Sequence, residues 1–316
     1  MDAMIRVWRF EGDSLVPVAK SQEAHGILAL QYRPKEGLVL SSGQDGGIKV
    51  WRFQDTRLAS LAATTEECHS GCRVIRVDGR SGTMVSGGDD LMIKVWRMEG
   101  SRLRLLVAEE GHNDEICALA MHTASGVLFS ACNSGELVAW RLEGEALVRL
   151  ADVKDAHTGV ISALQYDHAS RTVLSAGGDG AIRAWRLDVV ELKRTMSIEA
   201  CHDSGILALQ FDPASGTVLS AGADGSICAW ALSKEEGTLT NLARGVVHTG
   251  RVFSMQYDAT SGLILSVGAD SVIRACRVEG GELKIIASTE GKLERAVLAI
   301  QFHAPSGLLL SAGMSG

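Results

Sequence analysis

The sequence predicts an all-β fold: seven units of four short antiparallel strands, set as blades around a closed ring. Three rulers in the chain predict it. Tryptophan recurs at Trp8, Trp51, Trp96, Trp140, Trp185 and Trp230, in steps of 43, 45, 44, 45 and 45 residues. Serine after an apolar pair recurs at Ser41, Ser86, Ser130, Ser175, Ser220, Ser266 and Ser311, in steps of 45, 44, 45, 45, 46 and 45. Histidine keeps the same beat at His25, His69, His112, His157, His202 and His248. A fixed period in this range marks a repeat architecture whose units bury their faces against one another.

The fourth unit shows the elements in order. Ile161 to Tyr166 is a candidate first strand, and Asp167 to Arg171 a polar turn. Thr172 to Ala176 is a second strand, followed by the turn Gly177-Gly178-Asp179-Gly180. Ala181 to Leu187 is a third strand and Glu191 to Ile198 a fourth. These apolar runs are short, partly β-branched and bounded by Gly, Asp and Ser, which favours strands over helices. In the sixth unit Cys276 takes the tryptophan place, since Ile273 to Arg277 aligns with Ile182 to Arg186.

The two ends read as halves of one unit. Met4 to Phe10 aligns with the third strand Ser226 to Leu232, and the chain finishes on a second strand at Leu308 to Gly313. The expected arrangement is a seventh blade with its inner two strands from the C-terminal half and its outer two from the N-terminal half. Closure of this kind removes exposed sheet edges. The expected repeats are 21–64, 65–108, 109–153, 154–199, 200–244 and 245–289, with the split seventh formed by 290–316 and 1–20.

Composition excludes several classes. The chain has 316 residues, 46% of them hydrophobic and 22% charged, with a formal net charge of -7. Disorder requires low hydrophobicity and high net charge. A membrane-spanning helix needs about 20 consecutive apolar residues, and the apolar runs here are far shorter. Met1 to Arg6 does not read as a secretory signal. The acidic balance argues against a dedicated nucleic-acid binder. Seven cysteines, an odd number in a long chain, predict reduced thiols in a cytoplasmic compartment.

Four residue types recur together within a unit. A buried indole N–H needs an acceptor; a serine hydroxyl can accept it and donate onward; histidine can pass the relay to an aspartate. Complete sets are His25/Ser41/Asp45/Trp51, His69/Ser86/Asp90/Trp96, His157/Ser175/Asp179/Trp185 and His202/Ser220/Asp224/Trp230. In the first set the histidine precedes the serine by 16 residues rather than 18. The third unit has Ser134 in place of Asp, the sixth has Cys276 for Trp, and the seventh lacks the histidine and has Ser315 for Asp. Units three, six and seven are therefore expected to be the softer part of the ring.

The period of about 45 and this His, Ser, Asp, Trp set resemble the WD-repeat β-propeller family over almost the whole chain. The Gly-His pair of the family survives as Gly111-His112. Its Trp-Asp pair is absent: Arg follows Trp in five units, as in Trp51-Arg52 and Trp96-Arg97, and Ala in Trp230-Ala231. The resemblance implies a seven-bladed β-propeller, and a structural rather than chemical role for the relay.

Other constellations read plainly. A hydrolase triad is normally unique, whereas this Ser, His and Asp trio recurs beside a tryptophan, and no Gly-x-Ser-x-Gly elbow accompanies it. Cys68-His69-Ser70-Gly71-Cys72 lacks the second ligand pair of a zinc knuckle. The Gly-rich stretches lack the Lys-Ser/Thr of a phosphate loop and read as turns. Gln31, Gln165, Gln210, Gln256 and Gln301 align in the innermost strands, where they could face a polar ligand, cap backbone groups or hold water. No cofactor or metal is expected.

The expected function is a non-catalytic scaffold for other proteins or peptides, within a larger assembly. A reader of modified, for example phosphorylated, peptides is the alternative, and a propeller-based enzyme a third. The candidate contact face carries the loops into strand one and the turns between strands two and three. Its candidate residues are Gln44, Arg73, Asp89, Asn113, Asp114, Glu115, Asn133, Arg251 and Arg295, which are polar and differ between units.

Overall fold

The structure is a computed structural model that describes every residue except 1–3, 12–13, 22–25, 65–67, 79–80, 101, 123–124, 200, 234–236, 290–296 and 314–316. The chain opens with β1 (Arg6–Glu11) and β2 (Ser14–Lys20). Blade one is β3 (Ile27–Arg33), β4 (Leu38–Gly43), β5 (Ile48–Gln54) and β6 (Arg57–Ala63). Blade two is β7 (Cys72–Val77), β8 (Thr83–Gly88), β9 (Met92–Glu99) and β10 (Arg102–Glu110). Blade three is β11 (Ile116–His122), β12 (Val127–Cys132), β13 (Leu137–Glu143) and β14 (Ala146–Val153). Blade four is β15 (Ile161–Asp167), β16 (Thr172–Gly177), β17 (Ile182–Asp188) and β18 (Glu191–Ile198). Blade five is β19 (Ile206–Asp212), β20 (Thr217–Gly222), β21 (Ser226–Ser233) and β22 (Thr238–Val246). Blade six is β23 (Val252–Asp258), β24 (Leu263–Gly268), β25 (Ile273–Glu279) and β26 (Glu282–Ser288). The chain finishes with β27 (Val297–His303) and β28 (Leu308–Gly313).

Each blade is a four-stranded antiparallel meander, and the seventh runs β27-β28-β1-β2. There β1 pairs with β28, with Val7 opposite Leu310 and Trp8 opposite Leu309. The ring is thus closed by hydrogen bonds between the first and last strands, and neither is left as an open edge. No helix among the described residues is long and apolar enough to cross a membrane.

The core is not one mass but seven seams, each drawn from two neighbouring blades. Trp185 of blade four packs with Phe129 and Ala131 of blade three, and Trp230 of blade five with Leu174 and Ala176 of blade four. Trp8 packs with Leu265 and Val267 of blade six, and Ile5 and Val7 join Ile27 and Trp51 of blade one. Each tryptophan therefore leans on the preceding blade. In blade six Cys276 holds that place, against Leu219 and Ala221.

Two irregularities repeat around the ring. The register between strands three and four slips at the tryptophan, as between Ala184 and Trp185. The register between strands one and two skips the second residue of each innermost strand. The skipped residues are Leu28, Arg73, Cys117, Ser162, Leu207, Phe253 and Leu298. A bulge re-aims the side chain of its extra residue. Here all seven line the central cavity, of about 370 Å3.

Candidate functional site

The relay residues sit as follows. In blade four the Trp185 indole donates to Ser175 Oγ at 2.8 Å, His157 Nε2 lies 2.7 Å from the same oxygen, and His157 Nδ1 lies 2.9 Å from Asp179. Blade two repeats this with Trp96, Ser86, His69 and Asp90 at 2.7, 2.7 and 2.6 Å. Blade five uses Trp230, Ser220, His202 and Asp224, with Ser226 Oγ also 2.9 Å from His202 Nδ1. In blade one Trp51 donates to Ser41 at 2.9 Å, and Asp45 accepts from the Gly47 amide at 3.1 Å; His25 lies outside the described residues. In blade six His248 bridges Ser266 and Asp270, each at 2.9 Å. The seventh-unit Ser315 lies outside the described residues.

Blade three requires a correction. Ser134 does not take the aspartate role; its hydroxyl donates to Asn113. Glu136, two residues further on, places Oε2 3.0 Å from His112 Nδ1, while His112 Nε2 and the Trp140 indole each lie 2.7 Å from Ser130 Oγ. The longer glutamate side chain covers the extra distance. Blade three therefore has a complete relay. The spacing also missed the cations. Lys94, Arg183 and Arg274 stand two residues before the tryptophan place and pair with Asp90, Asp179 and Asp270 at 2.9, 2.6 and 2.6 Å. Where that place holds Val138 or Cys228, a cation comes from the outer strand instead: Arg149 to Glu136 at 2.7 Å, Arg244 to Asp224 at 3.3 Å.

Burial is the largest influence on His157 and lowers its pKa, with Asp179 pulling the other way. Burial raises Asp179, but hydrogen bonds from His157 and Arg183 outweigh it and hold the carboxyl at about 2. The relay thus rests as a neutral imidazole beside an ionised, cation-paired carboxylate. Each member of the group has a hydrogen-bonding partner inside the blade.

The loops into the innermost strands lie against the turns between strands two and three. One backbone bond repeats: Gln44 N to Gly26 O at 2.8 Å, Asp89 N to Gly71 O at 2.9 Å, Asn133 N to Glu115 O at 3.0 Å, and Ala269 N to Arg251 O at 2.8 Å. Gln44, Asp89 and Asn133 are therefore equivalent positions on one face. These turns take a positive φ, supplied by Gly46, Gly135, Gly180 and Gly225 in four blades and adopted by Leu91 and Ser271 in blades two and six.

Four of the candidate contact residues form one cluster across blades two and three. Arg73 bonds Asp89 through Nε and reaches Glu115 Oε2 at 2.5 Å, and Asn133 Nδ2 donates to the same Glu115 oxygen at 2.8 Å. Asp114 caps the Glu115 amide at 2.8 Å. Asn113 is held by Ser134, Gln44 and Arg251 stand exposed on other blades, and Arg295 lies outside the described residues.

Inside that face the bulged residues make a divided ring. Leu207, Phe253, Leu298 and Leu28 are consecutive around blades five, six, seven and one; Arg73, Cys117 and Ser162 complete it on blades two, three and four. Half the mouth is apolar and half polar. Aligning the second residue of each innermost strand would have shown this. Deeper in the channel, the glutamine ring is interrupted by Arg76 in blade two and Ala120 in blade three. Gln165 and Gln210 donate to Leu209 O and Met255 O of the next blade at 2.9 and 3.0 Å, so these two act as caps between blades. All seven cysteines are free, and burial raises the thiol pKa of Cys72 to about 12 and of Cys201 to about 11.

The family model described as WD domain, G-beta repeat matches residues 17–52, 149–186 and 192–231. Each match runs from the outer strand of one blade through three strands of the next. No curated protein matches the chain.

Proposed function

We propose that this chain, a seven-bladed β-propeller of WD repeats, is a non-catalytic scaffold that holds a protein partner on its loop face. WD-repeat propellers generally mediate protein–protein interaction. The observation that carries the reading is the divided channel mouth, an arc of Leu207, Phe253, Leu298 and Leu28 facing the Arg73, Asp89 and Glu115 cluster. A half-buried apolar arc beside fixed charges suits a polypeptide segment with one apolar anchor and flanking polar groups. The rigid frame holds both halves without reorganisation, which favours affinity.

A phosphopeptide reader would draw several cations to one point. Arg73 is already engaged by two carboxylates, and Arg52, Arg97, Arg141, Arg186 and Arg277 stand exposed on five separate blades. The scaffold reading is therefore preferred. Seven free thiols, five of them buried, fit a reducing, cytoplasmic setting. Affinity capture with mass spectrometry tests the proposal. The same proteins should be captured by the wild type and lost with Phe253→Asp and with the double variant Arg73→Glu/Arg251→Glu. Undiminished capture by folded forms of both variants would reject the loop face.

A further inference from the structure

Blade three differs from its neighbours at three places around one imidazole. The residue ending the second strand is Gly43, Gly88, Gly177, Gly222, Gly268 and Gly313 in six blades, and Cys132 in the third. The reason for glycine there is spatial. A Cβ on Gly222 would stand 2.4 Å from His202 Nδ1, and one on Gly268 2.8 Å from His248 Nδ1. In these two blades a side chain at this place is aimed at the ring nitrogen. Blade three puts a thiol there, removes the aspartate that would compete for Nδ1, and supplies Glu136 instead. The donor atoms of His112, Cys132 and Glu136 all lie within 4.8 Å of one another, and all three residues are buried.

We propose that His112, Cys132 and Glu136 form a binding site for a zinc-class divalent cation. Nitrogen, sulfur and oxygen donors together suit a borderline-soft ion, and three protein ligands leave a fourth position for water. Access exists: a cavity of about 500 Å3 adjoins His112 and Glu136 and carries Glu110 and Asp152 on its lining, with Arg149 and Lys154 among them. Outer partners are in place. With Nδ1 on the metal, the proton sits on Nε2 and is donated to Ser130 Oγ, 2.7 Å away, which fixes the ring. Arg149 holds the other Glu136 oxygen at 2.7 Å and is itself balanced by Asp152 at 3.4 Å. Binding converts the Cys132 thiol to thiolate and releases one proton to solvent. The ion's two charges are then matched by the thiolate and the carboxylate.

Cobalt is the probe, because a thiolate–cobalt bond absorbs in the near ultraviolet. The purified chain is titrated with Co2+ and separately with Zn2+. Expected are one equivalent of metal, a charge-transfer band with Co2+, and a higher melting temperature with Zn2+. Cys132→Gly installs the residue of the other six blades and so preserves the fold. It should abolish the band, weaken binding at least about tenfold, and remove the zinc-dependent stabilisation. Cys117→Ser should change none of these. No stoichiometric binding, or a band that survives in Cys132→Gly, would overturn the site.

Discussion

Trp8 and Ser311 are 303 positions apart in sequence, yet the indole nitrogen of one donates to the hydroxyl of the other at 2.8 Å. The bond is buried and joins the first strand to the last. It gives the seventh blade the bond of blades one to five, where the same pair is only 10 positions apart. Replacing Ser311 with Ala leaves the indole N–H without its acceptor. A loss of about 1–3 kcal/mol in urea unfolding is expected. Amide exchange should rise most in β1, β27 and β28. An unchanged midpoint would show that closure does not depend on this bond.

Glu136, not Ser134, terminates the relay of blade three. In the presence of a chelator, Glu136→Ala should destabilise by about 1–3 kcal/mol, since it strips His112 and Arg149 of a buried acceptor. Ser134→Ala, at an exposed turn, should stay within about 0.5 kcal/mol. Denaturant midpoints of the two variants decide the order, and the reverse order would refute the assignment.

Acid should loosen the ring in two stages. Burial lowers the pKa of His69, His112, His157, His202 and His248 below the ordinary 6.5. A folded pKa below the unfolded one means that the unfolded chain takes up protons first as pH falls. Stability is then complete above about pH 6.5 and declines below it, by up to about 1.4 kcal/mol per pH unit for each imidazole still neutral in the fold. Asp179, Asp224 and Asp270, held at about 2, act in a lower window. Their contribution is lost between the ordinary 3.8 and about 2. Urea midpoints at pH 7.5, 6 and 5 should fall in that order; a flat profile would contradict neutral imidazoles.

The Arg73 side chain is 38% exposed, and those of Asp89 and Glu115 about a third. Arg73→Ala should therefore cost less than about 1 kcal/mol of stability. Its effect should appear in partner capture instead. A large loss of stability would mark Arg73 as a structural clamp between blades two and three rather than a contact residue.

A side chain where Gly222 stands collides with His202. Gly222→Ala should destabilise by about 1–3 kcal/mol, as overpacking in a rigid seam does. The same change would be neutral only if the imidazole could move without losing Ser220 and Asp224. Thermal unfolding of the variant measures this directly.

The repeat was legible because each blade meets the same local demands. A Trp needs a Ser ten residues earlier, and turns at positive φ favour Gly, so the period is written in residue types. The number of blades and the meeting of the ends followed from it. What the spacing did not reveal was substitution by reach. Glu136 replaces an aspartate from a different position, and Arg149 and Arg244 replace cations missing from β13 and β21. An alignment by position is blind to a longer side chain arriving from elsewhere.

The sequence by itself determined the seven-fold ring, its strand order and its closure, since these depend on contacts that repeat within every unit. Only the tertiary structure decided that the bulged residues face the channel, the Arg73 cluster and the convergence of His112, Cys132 and Glu136. Those arise where blades meet or where a bulge turns one side chain inward: the period places a residue in its strand, but not the direction in which its side chain is turned or what it meets there.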